Sequence, residues 1–437
     1  MTRTVVYDTE IACDKVIVGL LEDGAFSSWT LTGPADLEAM ATVRTHLTGA
    51  RLVGFNNLAF DTYVLDGIFK GRSPQELHAA VKVLIGKGTD AAGRNQHPWQ
   101  KAEQLGLRPS GFSEIDLLHY CKQASLKVYE ARLGFDRIVE IPFDPEHGIG
   151  DREEETLAYL EHDCRATAAL HAALGEEIAA RETLAAMFEI PALVTKMPAS
   201  AAETVIVAEY GKRTGVEKAE LAAMAKRFRD CDIAIEIAPW VQTLAEGTVA
   251  AEVIAKITGT TVKYRGGERV AIEPPLPTTV VIGDLTVAFG VGGLHSKDGP
   301  GRADSTDVEV VTDYDVSSYY PALLLAPGGA PRDLDADAFT AIYRGLLDRR
   351  LAAKAAGRKR EADALKLTLN STFGKTGAPW SPLFSPISFL RTTLNGQLAL
   401  IALIDRLQRE GGATVCSANT DGSSSGIAAT KRQRSPQ

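Results

Sequence analysis

The first 31 residues contain the feature that most restricts how this chain can fold: three short apolar segments separated by turn-forming residues. TVVYDTE, VIVGLLED and FSSWTL have strand-like composition, and Asp23-Gly24 between the last two favours a two-residue hairpin turn. Strands joined by such short connections pair with antiparallel neighbours. The sequence therefore predicts that the fold opens with an antiparallel three-stranded meander.

The segments between the meander and Pro191 combine helices with a further strand, as an α/β domain requires. Apolar residues recur at helical spacing in four segments, and one segment is an unbroken run typical of a buried strand. We place the end of the first domain at residue 191, because Pro191 ends the last helical stretch. The helical segments are PADLEAMATVRTHL, FDTYVLDGIFKG, SLKVYEARLG and about 151–189, and the strand is RLVGFN.

The rest of the chain divides into a connecting region, 192–300, and a second α+β domain, 301–437. The connecting region has helical patterns and then the turn-rich EPPLPTTVVIGD. In the second domain, VEVVTDYD predicts a strand and SSYYPALLL a helix, followed by a helical pair over about 335–378. A helix near 394–410 and the strand ATVCSA complete the predicted elements.

Composition limits the class of protein. The chain has 437 residues, 45% hydrophobic and 24% charged, without an apolar run near the roughly 18 residues of a membrane span. The N-terminus has no charged-then-apolar leader, so we expect a soluble, cytoplasmic protein. Five cysteines, widely spaced and without a CxxC pair, argue against a disulfide framework and against a cysteine-based zinc site.

The charge of the chain argues against general binding of polyanions, since the net charge is −9. Residues 344–375 are an exception, with nine basic side chains against three acidic ones. Such a segment is either a solvated helix face or a surface that binds phosphates, and the segment alone does not separate the two.

Four carboxylates and a tyrosine form the first candidate site. Asp8 and Glu10 are two apart on a predicted strand, so both side chains point to one face and can share a metal ion. Tyr159 and Asp163 are four apart on one helical face, and Asp61 begins a helix. Each pair alone is more typical of exposed acids than of a site. Together the four carboxylates are the ligands that Mg²⁺ or Mn²⁺ prefers, and two such ions would support phosphodiester hydrolysis.

In order and spacing, the three motifs resemble those of the DEDD proofreading 3′–5′ exonucleases, in the subtype with a tyrosine in the third motif. DxE lies at residues 8–10, Nxx(F/Y)D at 57–61 and YxxxD at 159–163. The resemblance implies a ribonuclease H-like fold, two metal ions held by the carboxylates, and a water positioned by Tyr159. It also implies that four residues contact the single-stranded 3′ end of DNA: Asn57, Phe60, Ser125 and Leu126.

A second candidate site lies in the C-terminal part. Asp315 ends an apolar strand and precedes a helix whose free amides can bind phosphate oxygens. Asp421 lies in a tight turn after another apolar strand, a pattern that most often has no function. Between them, basic and aromatic side chains share one predicted helix face or its neighbour: Arg350, Lys354, Lys366, Asn370 and Phe373.

These segments resemble motifs A, B and C of family B DNA polymerases, at residues 315–321, 366–374 and 417–421. The resemblance implies that Asp315 and Asp421 hold two catalytic Mg²⁺ ions. It implies a nucleotide site for deoxynucleoside triphosphates made by Tyr320, Arg350, Lys354, Lys366, Asn370 and Phe373. It also implies contacts with primer-template DNA from the glycine-containing linker and motif B, at Gly292, Gly293 and Lys375.

The C-terminal end departs from that family. Asn419 replaces the first acid of motif C, and 16 residues follow Asp421, in a segment poor in β-branched and aromatic residues. We expect a poorly paired second hairpin strand, no thumb, and weak or absent primer extension by a chain truncated after motif C. The short interval between motifs A and B favours a nucleic-acid-primed enzyme of phage or prophage type.

The sequence therefore predicts an α/β exonuclease domain followed by an α+β polymerase palm with fingers. The predicted function is template-directed DNA synthesis with 3′–5′ proofreading, using two Mg²⁺ or Mn²⁺ ions in each active site. One alternative is a metal-dependent exonuclease with an inactive polymerase half; another is a non-catalytic DNA-binding remnant. The sequence specifies neither the host nor any protein partner.

Overall fold

The chain forms two compact units of mixed α/β structure, divided between Met197 and Pro198. The α/β class is confirmed. The predicted boundary lay at residue 191. Residues 192–197 of the predicted connecting region belong to the first unit, and the rest of that region forms one unit with the predicted C-terminal domain. The computed structural model describes residues 3–33, 36–89, 96–226, 230–265, 279–290, 292–297, 299, 301–307, 309–316, 318–420 and 422–428.

A five-stranded sheet forms the centre of the first unit, in the order β3-β2-β1-β4-β5. The predicted meander is present, and its tight turn has positive φ at both central residues, 49° at Asp23 and 82° at Gly24. β4 and β5 then add in parallel to β1. The strands are β1 (Thr4–Ile11), β2 (Val16–Glu22), β3 (Ala25–Leu31), β4 (Arg51–Gly54) and β5 (Ser113–Asp116).

Helices cover both faces of this sheet. The predicted order of strand, strand, strand, helix, strand, helix is confirmed, and the long helical stretch is two helices that meet at Leu174. The sequence analysis missed β5, whose four residues are too few to show a periodic pattern. The helices are α1 (Leu37–Leu47), α2 (Asp61–Phe69), α3 (Pro74–Ile85), α4 (Pro98–Gln104), α5 (Leu126–Leu133), α6 (Glu153–Ala173) and α7 (Gly175–Phe188).

Alternation along β1 separates two hydrophobic layers. Val5 and Tyr7 pack with α1 and α2 on one face of the sheet. Val6 packs on the other face, in a layer that includes Leu160 and Cys164 of α6, both fully buried. Because strand side chains alternate, residues at even positions of β1 face α6.

The second unit surrounds a long buried helix with sheets and shorter helices. Six strands form one sheet in the order β11-β13-β12-β10-β9-β8, and β6 pairs with β7. Its helices are α8 (Pro198–Thr214), α9 (Lys218–Ala225), α10 (Pro239–Ala245), α11 (Val249–Ile257), α12 (Tyr319–Leu325), α13 (Ala336–Ala355), α14 (Lys359–Thr376) and α15 (Pro386–Arg409). Its strands are β6 (Asp230–Ala234), β7 (Thr261–Arg265), β8 (Thr279–Ile282), β9 (Leu285–Phe289), β10 (Leu294–Ser296), β11 (Glu309–Asp315), β12 (Thr414–Thr420) and β13 (Gly422–Ala428).

The second hairpin strand, expected to pair poorly, is an inner strand of the sheet. β13 pairs with β12 on one side and with β11 along its whole length on the other. That expectation was wrong because it weighed side-chain propensity alone, whereas an inner strand gains backbone hydrogen bonds along both edges.

Helix α15 forms the core of the second unit. Its apolar face packs with residues of α10, α11 and the sheet, and Asn395 accepts a 2.8 Å hydrogen bond from the Ala238 amide. In the described part of the chain, this helix is long and apolar enough to cross a membrane, and most of its apolar window is buried inside the unit. Buried core helices of soluble proteins share this composition, so the helix is weak evidence for a membrane span.

Gly19 sets how closely α6 approaches the sheet. A Cβ atom at Gly19 would lie 2.7 Å from Leu160 Cγ. We expect Gly19→Ala to lower the free energy of unfolding by about 1–3 kcal/mol, because overpacking forces the helix off the strand. Urea denaturation followed by circular dichroism measures this change.

The matched control is Gly175→Ala, since nothing lies within 4 Å of a Cβ atom at that position. It should leave the free energy of unfolding unchanged or raise it by up to about 1 kcal/mol. Equal effects of the two substitutions would contradict the proposed close contact.

Candidate functional site

The candidate site is built where β1 meets α6. Asp8 and Glu10 continue the even positions of β1 after Val6, so strand alternation directs them toward α6. Helical spacing on α6 places Tyr159 and Asp163 one turn apart, and both are buried. The strand and the helix thus present their polar groups to each other.

Three carboxylates come together there. Asp8, Glu10 and Asp163 each offer one carboxylate oxygen, and these oxygens lie within 4.8 Å of one another. Glu10 and Asp163 are both 8% exposed. Asp61 is 4% exposed at the start of α2, and Thr9 donates its hydroxyl hydrogen to Asp61 Oδ1. Thr9, between the two acids of β1, therefore ties the fourth carboxylate to the same strand.

The electrostatic cost of this arrangement shows in the pKa values. Burial raises the pKa of Glu10 to about 8, and the charges of Asp163 and Asp61 add to this effect. Burial likewise raises the pKa of Asp61 to about 7 and that of Asp163 to about 6. The pKa of Asp8 is raised by burial, then by repulsion from Asp61 and Glu10. Because burial and mutual repulsion both disfavour the charged forms, these acids cannot all ionise without a compensating cation.

Lys127 and Tyr159 offset part of that repulsion. Lys127 of α5 lowers the pKa values of Glu10 and Asp163, and its Nζ lies 5.3 Å from the centre of the Tyr159 ring. A hydrogen bond from Tyr159 also lowers the pKa of Asp163. Burial and the Asp163 charge raise the pKa of Tyr159, so the phenol stays protonated and acts as a donor.

The donor set fits a hard divalent cation. All of its ligand atoms are carboxylate oxygens, which Mg²⁺ and Mn²⁺ prefer. Asp163 Oδ1 is buried and has no hydrogen-bond partner among the described residues. A buried carboxylate oxygen without a donor is costly, and coordination to a cation would satisfy it.

Glu114 of β5 organises the base of the site, and the sequence analysis missed it. This carboxylate is 4% exposed and accepts hydrogen bonds from the Tyr7 hydroxyl at 2.6 Å and the Thr62 hydroxyl at 2.6 Å. Asn57 donates to it at 2.8 Å, and Ser110 donates as well. A lone acid in a four-residue strand gave no signal of this network.

Asn57 belongs to the same buried network, and its predicted contact with DNA stays a prediction. It is fully buried, and its side-chain amide donates to Glu114 and to the Tyr7 hydroxyl at 3.3 Å. We assign Asn57 to the support of the loop before Asp61.

Asp116 supports the same loop from the end of β5. Its carboxylate accepts hydrogen bonds from the amides of Asn56 at 2.8 Å and Leu58 at 3.3 Å. Asn56 has a φ of 62°, so this contact holds a strained turn directly before α2. The sequence analysis did not single out Asp116.

The other predicted contacts with the DNA end lie at the surface or near it. Phe60 is half-buried and packs against the core, while its backbone precedes α2. Ser125 is exposed at the start of α5, and Leu126 is half-buried beside it. These side chains remain available for such contacts.

In the second unit, β13 lies between β11, which ends at the predicted motif A, and β12, which contains most of the predicted motif C. Asp315 at the end of β11 pairs in register with Gly422 at the start of β13. Asp421 lies outside the described residues, and Asn419 on β12 pairs across the hairpin with Gly422. The backbone thus places the first residue of motif A opposite the residue that follows motif C.

The predicted nucleotide-binding residues fall into two groups: three make contacts within the second unit, and three are exposed. Tyr320 stacks on Phe373, with ring centroids 4.3 Å apart, and Phe373 also stacks on Phe389 at 5.1 Å. Arg350 donates a 2.8 Å hydrogen bond to the hydroxyl of Ser318, just before α12. The exposed group comprises Lys354, Lys366 and Asn370.

The three predicted DNA contacts of the second unit differ in exposure. Lys375 is 8% exposed and forms an ion pair with half-buried Glu203, whose carboxylate lies 3.1 Å away. Gly292 is exposed and its carbonyl accepts a hydrogen bond from Tyr320, whereas Gly293 is buried.

Comparison with protein-family models and with curated proteins finds no match to this chain.

The raised pKa values predict a dependence of stability on pH in the absence of divalent ions. The folded state holds more protons than the unfolded state between about pH 5 and 8, because Glu10, Asp61 and Asp163 have folded pKa values of about 8, 7 and 6. The free energy of unfolding should therefore fall as the pH rises through this range, by on the order of a few kcal/mol.

Urea titrations in EDTA from pH 5 to 8.5 measure this slope. Glu10→Gln should flatten it, and so should saturating Mg²⁺. The control is Glu146→Gln, because Glu146 is exposed and a hydrogen bond from Lys82 lowers its pKa, so it titrates below this range. A slope that Glu10→Gln leaves intact would show that the cluster is not its source.

Proposed function

We propose that the first unit is a metal-dependent 3′–5′ exonuclease acting on single-stranded DNA ends. The observation that carries this proposal is the convergence of Asp8, Glu10 and Asp163 oxygens within 4.8 Å, beside buried Asp61, with raised pKa values. The three ordered motifs and the opening meander support the finer proposal of a ribonuclease H-like domain of the DEDD type.

The residues of the site have distinct roles in this proposal. The four carboxylates would hold two Mg²⁺ or Mn²⁺ ions, which when bound supply an activated water and stabilise charge at phosphorus. Tyr159 stays protonated and can orient a water from one turn before Asp163. Thr9 fixes the orientation of Asp61. Lys127 places a positive charge beside Tyr159, where it would attract the phosphate of the substrate.

The substrate would enter along the start of α2 and α5. Phe60 offers an aromatic ring for stacking on a base, a contact that tolerates any sequence. Ser125 and Leu126 offer a hydroxyl and an apolar surface at the start of α5. A single strand with a free 3′ end suits this set better than duplex DNA does.

We propose nucleotide addition as a second function, located in the second unit. It is favoured by the backbone pairing of Asp315 with Gly422, the neighbour of Asp421 in sequence. The Tyr320–Phe373 stack and the exposed Lys366 lie on the adjoining α12 and α14, where the incoming deoxynucleoside triphosphate would bind. The whole chain would then be a DNA polymerase with its own proofreading unit, in a bacterial or phage-infected cytoplasm.

The two alternatives differ in what they require. An exonuclease with an inactive polymerase half requires only the first site to be active. A DNA-binding remnant requires neither site to be active. The strained, charged arrangement of the first site argues against the remnant, because unused buried carboxylates would only destabilise the fold.

Substitutions within the carboxylate site test the exonuclease. Asp8→Ala combined with Glu10→Ala should lower the rate of degradation of 5′-labelled single-stranded DNA in Mg²⁺ by about a thousandfold or more, since metal stabilisation is worth several kcal/mol. Tyr159→Phe should lower it less, by about ten- to a hundredfold, because the hydroxyl only orients water.

Asp144→Asn serves as the control for loss of an acid, because Asp144 is exposed and pairs with His147. It should degrade DNA at the rate of the unsubstituted chain. Undiminished degradation by the double variant would overturn the assignment of this site.

Primer extension tests the second function. In the Asp8→Ala, Glu10→Ala background, a 5′-labelled primer on a template should lengthen weakly, by short additions, with Mg²⁺ and the four deoxynucleoside triphosphates. Adding Asp315→Ala should reduce extension by on the order of a thousandfold, whereas Asp348→Ala, an exposed acid on α13, should not. Failure of the background chain to extend any primer would leave the exonuclease as the sole function.

A further inference from the structure

A second group of metal-ligating side chains shares Asp163 with the carboxylate cluster. Glu130 of α5 and His162 of α6 each offer one ligand atom, and these lie with an Asp163 oxygen inside 4.8 Å of one another. His162 Nε2 is 3.1 Å from Glu130 Oε2. The group differs from the carboxylate cluster because it contains an imidazole nitrogen.

An ordinary hydrogen-bonded histidine–glutamate pair does not account for this group. Glu130 is fully buried, and its Oε1 has no hydrogen-bond partner among the described residues. Asp163 Oδ1 is likewise buried without a donor. Acceptor oxygens left without donors on two acids of one metal-ligating group each cost free energy, and coordination of both carboxylates to one cation would offset that cost.

We propose that Glu130, His162 and Asp163 form a distinct zinc site. Zn²⁺ binds histidine nitrogen and carboxylate oxygen at about 2.0–2.2 Å, which separates neighbouring ligands in a tetrahedral site by about 3.3–3.5 Å. The 3.1 Å between His162 Nε2 and Glu130 Oε2 is already close to that separation. Mg²⁺ favours all-oxygen ligands, so the imidazole selects against it.

The site would regulate the exonuclease, and this consequence rests on the proposed function. Asp163 belongs to both groups, so a Zn²⁺ ion held by Glu130 and His162 withdraws one ligand from the carboxylate cluster. Zn²⁺ should therefore inhibit DNA degradation in the presence of Mg²⁺, without competing for Asp8 or Glu10.

Isothermal titration of the full chain with Zn²⁺ tests the site without reference to activity. Removal of outer-shell partners already costs metal affinity about 10- to 100-fold, so loss of a direct ligand should lower it at least tenfold. His162→Gln and Glu130→Gln should each show this loss. Both replacements keep a hydrogen-bonding side chain, and thermal unfolding without metal verifies that each variant folds.

Two controls locate the bound ion. Asp8→Asn combined with Glu10→Gln should keep its Zn²⁺ affinity within about threefold, because neither residue belongs to the proposed site. His147→Gln should also bind Zn²⁺ normally, although His147 lies 2.7 Å from Asp144, because that pair is exposed. Unchanged Zn²⁺ affinity in His162→Gln, or its loss in the double variant, would overturn the proposal.

Inhibition is measured separately. Zn²⁺ should slow DNA degradation by the unsubstituted chain, and His162→Gln should require at least about tenfold more Zn²⁺ for the same inhibition. Zinc binding that depends on His162, in a chain that degrades no DNA under any condition, would support the site and overturn the exonuclease. Equal inhibition of both chains would overturn the regulatory role.

Discussion

The packing of α6 across β1 and β2 is the interaction on which the first unit depends. The missing side chain at Gly19 lets Leu160 approach the strand, and that approach brings Asp163 next to Asp8 and Glu10. Apolar contacts therefore supply the free energy that holds like charges together. The helix that completes the hydrophobic layer also completes the polar site, so stability and chemistry are coupled through one interface.

Two buried acids of β5 hold the loop before α2 in place. Glu114 and Asp116, both on β5, receive hydrogen bonds from side chains and loop amides around Asn57. These acids accept hydrogen bonds from several donors, whereas Asp163 Oδ1 and Glu130 Oε1 have no hydrogen-bond partner among the described residues. This contrast distinguishes acids that stabilise the fold from acids that are free to bind a ligand. It identifies a candidate site better than the number of acids in the region does.

The sequence predicted the parts of the molecule that depend on periodicity. The meander, the two-residue step from Asp8 to Glu10 and the helical step from Tyr159 to Asp163 follow from strand and helix geometry, and they appear in the structure. Residues whose roles depend on tertiary contacts were missed or misassigned. Glu114 is in a strand too short to show a pattern, and the burial of Lys375 depends on Glu203 of another helix. The pairing of β13 was misjudged because β11, its partner outside the hairpin, is distant in sequence.

The inner position of β13 affects how the chain acquires its structure during synthesis. The sheet of the first unit uses strands from the first 116 residues, so it can assemble while translation continues. The larger sheet needs residues 422–428 between β11 and β12, which are separated until that last segment leaves the ribosome. Until then, two strand edges remain open to mispairing, and a translating ribosome would carry a folded first unit beside an incomplete second one.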